Sequence, residues 1–225
     1  GVSYRRGKKE GLLQLAARHH LTIVEDDYLR ELSFNEVDLK PLAALAPPEV
    51  PVLYLKSFSK VLLPGLRLAF LAVPAAVGRE ILTAKHTSDI FTSGLFQRVF
   101  ELLLKDDIWE QQMVRVRTLY KERYQVLTNA LCQELPPTIT FHPPAGGLNF
   151  WLRLPSERDA FGLYEEGVII APGSAFTSTG QPSPYFRLTY ASSSPDEIKR
   201  GITLLATAAR RLLGETQKPD YMPFV

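Results

Sequence analysis

The chain has 225 residues, 45% of them hydrophobic and 22% charged, with a formal net charge of +2. These are ordinary globular values: enough apolar residues for one large domain or two smaller ones, and no charge excess that would draw the chain to nucleic acid or a membrane surface. One cysteine, Cys132, excludes an internal disulfide framework, and no apolar run reaches transmembrane length, so a cytoplasmic protein without a membrane span is expected.

Residues from about Ser3 to His20 predict an amphipathic helix, with Leu12, Leu13, Leu15 and Ala16 on its apolar side and a basic cluster of Arg5, Arg6, Lys8 and Lys9. Such a cluster could touch nucleic acid, but four cations on one turn are more commonly a solvated face. The pair His19-His20 suits a helix end, where a cation opposes the dipole. The four histidines show no metal-ligand spacing, and no metal site is expected. Leu21-Thr-Ile-Val24 predicts a short strand leading into an acidic loop, Glu25-Asp26-Asp27-Tyr28. That loop is either a solvated turn or helix cap, or part of a site, since sites in α/β sheets lie beyond the carboxyl ends of strands.

After a proline-bearing connection, Asn35 to Val50, the apolar run Pro51-Val-Leu-Tyr-Leu55 predicts a strand and Leu66 to Val73 a second, with Pro64-Gly65 as a turn signal between them. Ser57, Ser59, Lys60 and Arg67 therefore gather at one end of a strand pair. Two hydroxyls and a planar guanidinium can hold a phosphate dianion. A lysine beside it and mostly out of water loses basicity and can attack a carbonyl. An amine next to a phosphate clamp is what pyridoxal 5′-phosphate needs. That cofactor is an electron sink only while its pyridine nitrogen is protonated, which a carboxylate such as those of residues 25–27 would maintain. The plainer reading is that Ser-x-Ser-Lys at a strand end is a solvated edge.

Helices are predicted from Ala75 to about Ile90, from Ser93 to about Leu104, and from Ile108 to Leu135. The last is long enough to bridge two domains. Pro136-Pro137 marks a boundary, beyond which short strands are expected at Thr138 to Phe141, Gly147 to Leu154, Gly167 to Ala171 and Tyr185 to Tyr190. Helices are expected at Ser156 to Glu166 and Ser194 to Leu213, the second with Ser194, Pro195 and Glu197 spelling a capping box. The expected organisation is α/β: a large-domain part over residues 1–107, an inter-domain helix over 108–135 and a small α+β domain over 136–225. Arg187 falls in the middle of an apolar strand, either at an edge facing water or with a partner to bind.

Ser57-Phe-Ser-Lys60, followed seven residues after the lysine by an arginine in Pro64-Gly-Leu-Arg-Leu68, resembles the lysine motif of class I/II aminotransferases, the fold-type-I enzymes of pyridoxal 5′-phosphate. The resemblance implies the C-terminal part of that fold. It implies that Lys60 forms the Schiff base with the cofactor and that Ser57, Ser59 and Arg67 hold its phosphate. The family places an aspartate two or three residues ahead of a tyrosine on the strand before the lysine strand. This makes Asp26 the pyridine partner, with Asp27 as runner-up, and Tyr28 the donor to the ring oxygen. By the same resemblance Arg187 binds the substrate α-carboxylate, and Pro144 to Asn149 and Ala171 to Phe176 are substrate-side loops.

The compact Glu25-Asp-Asp-Tyr-x-x-Glu-Leu32 and the stretch Lys85 to Gln97 are most similar to the aminotransferase-like domains of MocR-type regulators in the GntR superfamily. The function implied is a domain that forms Schiff bases with an amino acid or amine and senses it as an effector. The alternative is a fragment of a stand-alone aminotransferase. A homodimer is expected, with DNA bound only through a domain outside this chain. The resemblance covers about the second half of the family domain. A phosphate loop, a ring-stacking aromatic and an asparagine at the ring oxygen are expected upstream of Gly1.

Overall fold

The computed structural model describes residues 4–34, 39–105, 107–155, 159–165 and 167–214. They fall into two units, one up to Arg117 and the other from Thr118 onward. In the first, α1 (Arg6–Arg18) precedes β1 (Ile23–Asp27), β2 (Val52–Ser57) and β3 (Ala69–Ala72), followed by α2 (Gly78–Asp89), α3 (Gly94–Lys105) and the start of α4 (Ile108–Glu134). The sheet order is β1-β2-β3, with β1 parallel and β3 antiparallel to β2.

One face of this sheet is covered and the other open. Leu13 and Ala16 of α1 pack with Leu42, Val50 and Val52, and Ile23 joins them from β1. Along β2 the buried residues are Val52, Tyr54 and Lys56, while Leu53, Leu55 and Ser57 are half-buried, the period of two that a pleated strand imposes.

The acidic loop expected after Val24 is instead strand. Pairing with β2 runs in register through Asp26↔Leu55 and Asp27↔Lys56, so Glu25, Asp26 and Asp27 alternate across the sheet. Strand conformation is tolerated because the covered-face acids have partners. The Glu25 carboxylate accepts from the Leu42 and Ala43 amides at 2.8 and 3.0 Å, satisfying donors of the 3-10 turn Leu42–Ala44. Asp27 accepts from the Tyr54 hydroxyl and pairs with Lys56.

The strand expected from Leu66 is confined to Ala69–Ala72. Pro64–Leu66 closes a 3-10 turn, and Arg67 leaves it in the left-handed conformation (φ 49°, ψ 41°) before the chain extends. Likewise residues 75–77 form a 3-10 turn after Pro74, and α2 begins only at Gly78. The histidine pair does lie at a helix end, with His19 as the cap of α1.

The second unit holds the rest of α4, β4 (Thr140–Phe141), β5 (Asn149–Arg153), α5 (Phe161–Glu165), β6 (Ala171–Pro172), β7 (Tyr185–Thr189) and α6 (Pro195–Leu213). Its antiparallel sheet has the order β4-β5-β7-β6. Phe150, Leu152 and Phe186 point into a core shared with Leu131, Leu163, Tyr190 and Leu205, all fully buried. The capping box of α6 is formed: Ser194 accepts from the Glu197 amide, and the Glu197 carboxylate accepts from the Ser194 amide at 2.7 Å. Gly214, at φ 71°, closes the helix in the conformation glycine favours.

Of the strand expected at Gly167 to Ala171, only Ala171 pairs with β7, joined by Pro172 just past the expected end. The Val168 amide is committed to the Leu163 carbonyl at the end of α5, and Pro172 has no amide to extend the ladder. The first part of the helix expected from Ser156, residues 156–158, lies outside the described residues. Among the described residues no helix is long and apolar enough to cross a membrane.

Candidate active site

The end of β2 builds the site. Phe58 and Val61 are buried, and Phe58 packs against Phe100 and Trp109 with ring centroids 4.3 and 5.7 Å away. The Val61 and Leu62 amides donate back to the Phe58 carbonyl, forming a tight turn. With those two apolar residues anchored, Ser57, Ser59 and Lys60 face the opposite way. They line a cleft of about 350 Å³ together with Asp26, Tyr28, Leu55, Arg67, Leu68 and Ala69. The Ser59 amide lies 3.4 Å from Ser57 Oγ, holding that hydroxyl at the mouth of the turn.

Asp26, Tyr28, Ser57, Ser59, Lys60 and Arg67 thus meet in one place, and the runner-up Asp27 does not. Asp26 reaches the cleft because it shares the open face with its register partner Leu55, itself a cleft residue. Arg67 reaches it through the left-handed turn, a conformation unfavourable for a residue with a Cβ. The expectation of a desolvated lysine is not met within this chain, since Lys60, Asp26 and Arg67 are exposed. The reason is geometric: the cleft lies on the uncovered face of the sheet.

Asp27 stands on the other face, away from Asp26. Lys56 Nζ lies 2.6 Å from Glu31 and 3.4 Å from Asp27, with its side chain only 4% exposed. Arg30 Nε lies 3.0 Å from Asp27, and its guanidinium stands over the Tyr54 ring. Burial, and then the hydrogen bond to the Asp27 carboxylate, push the Tyr54 phenol well above its ordinary range, so it remains a donor. Sequence reasoning passed over this group. The signal available was a lysine at the buried phase of an apolar strand, which needs carboxylate partners.

Arg187 belongs to the second unit. It sits on β7, an internal strand, between Trp151 of β5 and Ala171 of β6, and is half-buried rather than an edge residue. Its guanidinium lies 5.0 Å from the centre of the Phe176 ring, on a face that also carries Trp151 and Tyr185. Phe176 ends the turn Gly173–Phe176 that follows β6. Gly173 is required there, because a Cβ would lie 2.4 Å from Ser183 Oγ and 2.7 Å from the Tyr185 carbonyl. The other nominated loop is pinned by the Tyr124 hydroxyl donating to the Pro144 carbonyl and the Tyr190 hydroxyl to that of Gly147.

Comparison with known proteins gives a consistent answer. Residues 1–205 match the family described as aminotransferase class I and II. The 2-aminoadipate transaminase of Thermus thermophilus is 36% identical over 211 residues, which are 91% of this chain and 53% of that protein. The uncharacterized HTH-type transcriptional regulator YisV of Bacillus subtilis is 31% identical over 217 residues, 95% of this chain and 44% of the regulator. Among solved structures, LysN, the alpha-aminoadipate aminotransferase of Thermus thermophilus complexed with N-(5′-phosphopyridoxyl)-L-leucine, aligns with a TM-score of 0.83 at 37% identity. That alignment covers 92% of this chain and 55% of LysN. The chain spans about half the length of the relatives it matches. Relatives of two kinds, aminotransferases and HTH-type regulators, share this domain. A match that runs from α1 into α6 takes in both units: they are parts of the fold-type-I architecture, and the chain belongs to the class I and II aminotransferase family.

Proposed function

We propose that this chain binds pyridoxal 5′-phosphate and offers it to an amino acid or amine, as the effector-sensing region of a MocR-type regulator. The observation that carries the cofactor is the single cleft shared by Lys60, Asp26, Tyr28, Ser57, Ser59 and Arg67. This donor set fits the group: one amine, one carboxylate, one phenol, and two hydroxyls beside a guanidinium. Bound there, the cofactor supplies an electron sink that weakens the bonds at the α-carbon of an amino compound.

The chain's own residues do the rest. Ser57, Ser59 and the Arg67 fork bind the phosphate dianion. Asp26 holds a proton on the pyridine nitrogen, and the Tyr28 hydroxyl donates to the ring oxygen. Lys60 Nζ would hold the cofactor at its aldehyde carbon and, when free, would take and return the proton of the substrate's α-carbon. Arg187 binds the α-carboxylate of an amino acid through its paired N–H groups.

In this arrangement residues 1–107 are the large-domain part, 108–135 the connecting helix and 136–225 the small domain. The protein is a cytoplasmic homodimer that meets DNA through a domain outside these residues. The compact Glu25-Asp26-Asp27-Tyr28 and the Thr87 to Gly94 stretch support the regulator. The alternative is a fragment of a stand-alone aminotransferase, and relatives of both kinds match the chain, at 36% identity to the Thermus transaminase and 31% to YisV.

Borohydride reduction of the cofactor-loaded protein and peptide mapping test the site, with the pyridoxyl group expected on Lys60. An adduct on Lys56 with Lys60 unmodified overturns the assignment. Assays of the full reading frame separate the two contexts. The regulator reading predicts DNA binding through an upstream domain, whereas multiple turnover with a keto acid and no such domain leaves only the enzyme.

A further inference from the structure

We propose that Lys56 is a positioning residue for the cofactor site. From the covered face of the sheet its ammonium anchors the segment 27–31, and thereby sets where Tyr28 and Asp26 stand in the cleft on the open face. The inference rests on the cofactor reading above.

Asp27 immediately precedes Tyr28 and Glu31 follows it by three residues, and both carboxylates converge on Lys56 Nζ. Tyr28 is thus carried on a short loop tied at both ends to one ammonium. Arg30 closes the loop further, through Nε to Asp27 and through its amide, which donates to Asp27 Oδ1 at 3.2 Å. Tyr54 and Lys56, both on β2, fasten Asp27 to the strand that delivers Ser57, Ser59 and Lys60. The two acids and two cations balance, and losing Lys56 leaves two largely buried carboxylates to share Arg30. They would separate and take the segment with them. Since side chains alternate across the pleat, a displacement of Asp27 is transmitted to its neighbours Asp26 and Tyr28.

Packing alone does not call for a lysine here. Val52 and Tyr54 hold the same face of β2, and an apolar residue in a covered position avoids the desolvation that a buried ion pair suffers. What an ion pair adds is direction: two defined carboxylate positions, one on each side of Tyr28. Lys56 cannot substitute for Lys60, because it lies on the face away from the cleft.

The test uses the full-length protein, with and without cofactor, as wild type, Lys56→Met, Lys56→Arg, Tyr28→Phe and Lys56→Met/Tyr28→Phe. The pH midpoint of the bound cofactor's visible absorbance and the cofactor dissociation constant are read beside the unfolding temperature. Lys56→Met is expected to shift the midpoint by about one pH unit and weaken the cofactor about tenfold. Lys56→Arg should restore both, and in the Tyr28→Phe background Lys56→Met should add a smaller shift than in the wild type, the part that runs through Asp26.

In the cofactor-free protein, Lys56→Met should speed amide exchange at residues 28–31 and leave β5 unchanged. A lower unfolding temperature with wild-type midpoint and affinity overturns the proposal, as does a shift additive with that of Tyr28→Phe. If Lys56→Met does not fold, Glu31→Gln decides by the same midpoint: a shift supports the role and no shift overturns it. If the wild type binds no cofactor, the cofactor reading fails, and the exchange comparison still decides whether Lys56 holds the segment.

Discussion

The two units dispose of their apolar residues differently. In the second, β5 and β7 send Phe150, Leu152 and Phe186 into a closed core with Leu131, Leu163 and Leu205. In the first, every residue of β3 is exposed, and neither α2 nor α3 buries a single side chain. Phe91 and Leu95 are 76% and 70% exposed, and Phe70 and Leu71 stand open on β3. The second unit therefore draws its stability from within. The outer elements of the first have the composition of buried elements without the burial, as expected of a chain spanning about half the length of its relatives. A substitution should consequently mean different things in the two units.

The largest effect is expected in the closed core. Phe186→Ala should cost about 3–5 kcal/mol in urea unfolding, whereas Phe91→Ala should change stability by no more than about 0.5 kcal/mol. Equal costs would break the contrast between the units. Next comes the second unit's candidate ligand group. Arg187→Ala should weaken an amino acid by about 2–5 kcal/mol and leave the matching amine, which lacks the carboxylate, unchanged in calorimetric titration.

A smaller effect separates the two faces of the first unit's sheet. Asp27→Asn should destabilise the protein by about 1–3 kcal/mol, because Lys56, Arg30 and Tyr54 lose a charged acceptor. Asp26→Asn should leave stability unchanged and slow α-proton exchange, followed by loss of deuterium label from the ligand. The smallest is the cap of α6, where Ser194→Ala should cost about 1 kcal/mol at neutral pH. Hydrogen bonds from the Ser194 amide, and then its hydroxyl, hold the Glu197 carboxyl below the usual carboxylate range. The Glu197 contribution is thus present above the pKa of a free glutamate and lost as pH falls through the folded value, so the difference between variant and wild type should narrow in acid.

Much of this was legible from residue order. The helix α4, the capped α6 and the turn after the lysine strand carry local signals, since periodicity, caps and Pro-Gly need no partner to be read. The residues of the cleft could be nominated because the lysine motif and the aspartate–tyrosine spelling resemble those of a known family, where spacing alone left a solvated edge open. What could not be read was which side of the sheet each acid would take. The Glu25-Asp26-Asp27 run looks like a solvated loop until β2 is laid beside it. Only the pairing Asp27↔Lys56 shows that two acids serve the covered face and one the cleft. The strand expected from Gly167 failed for a related reason, since strands form against neighbours and the neighbouring strand pairs only with Ala171 and Pro172.

The left-handed backbone at Arg67 sets two kinds of selection against each other. Such a conformation disfavours any residue with a Cβ by about 1 kcal/mol, a cost glycine would not bear. A library of this chain screened for heat resistance alone should therefore enrich glycine at position 67 and discard the guanidinium from the cleft. The same library screened for cofactor capture should keep the arginine and tolerate its strain. The divergence of those two winners would measure how much folding stability the protein forgoes to aim one side chain.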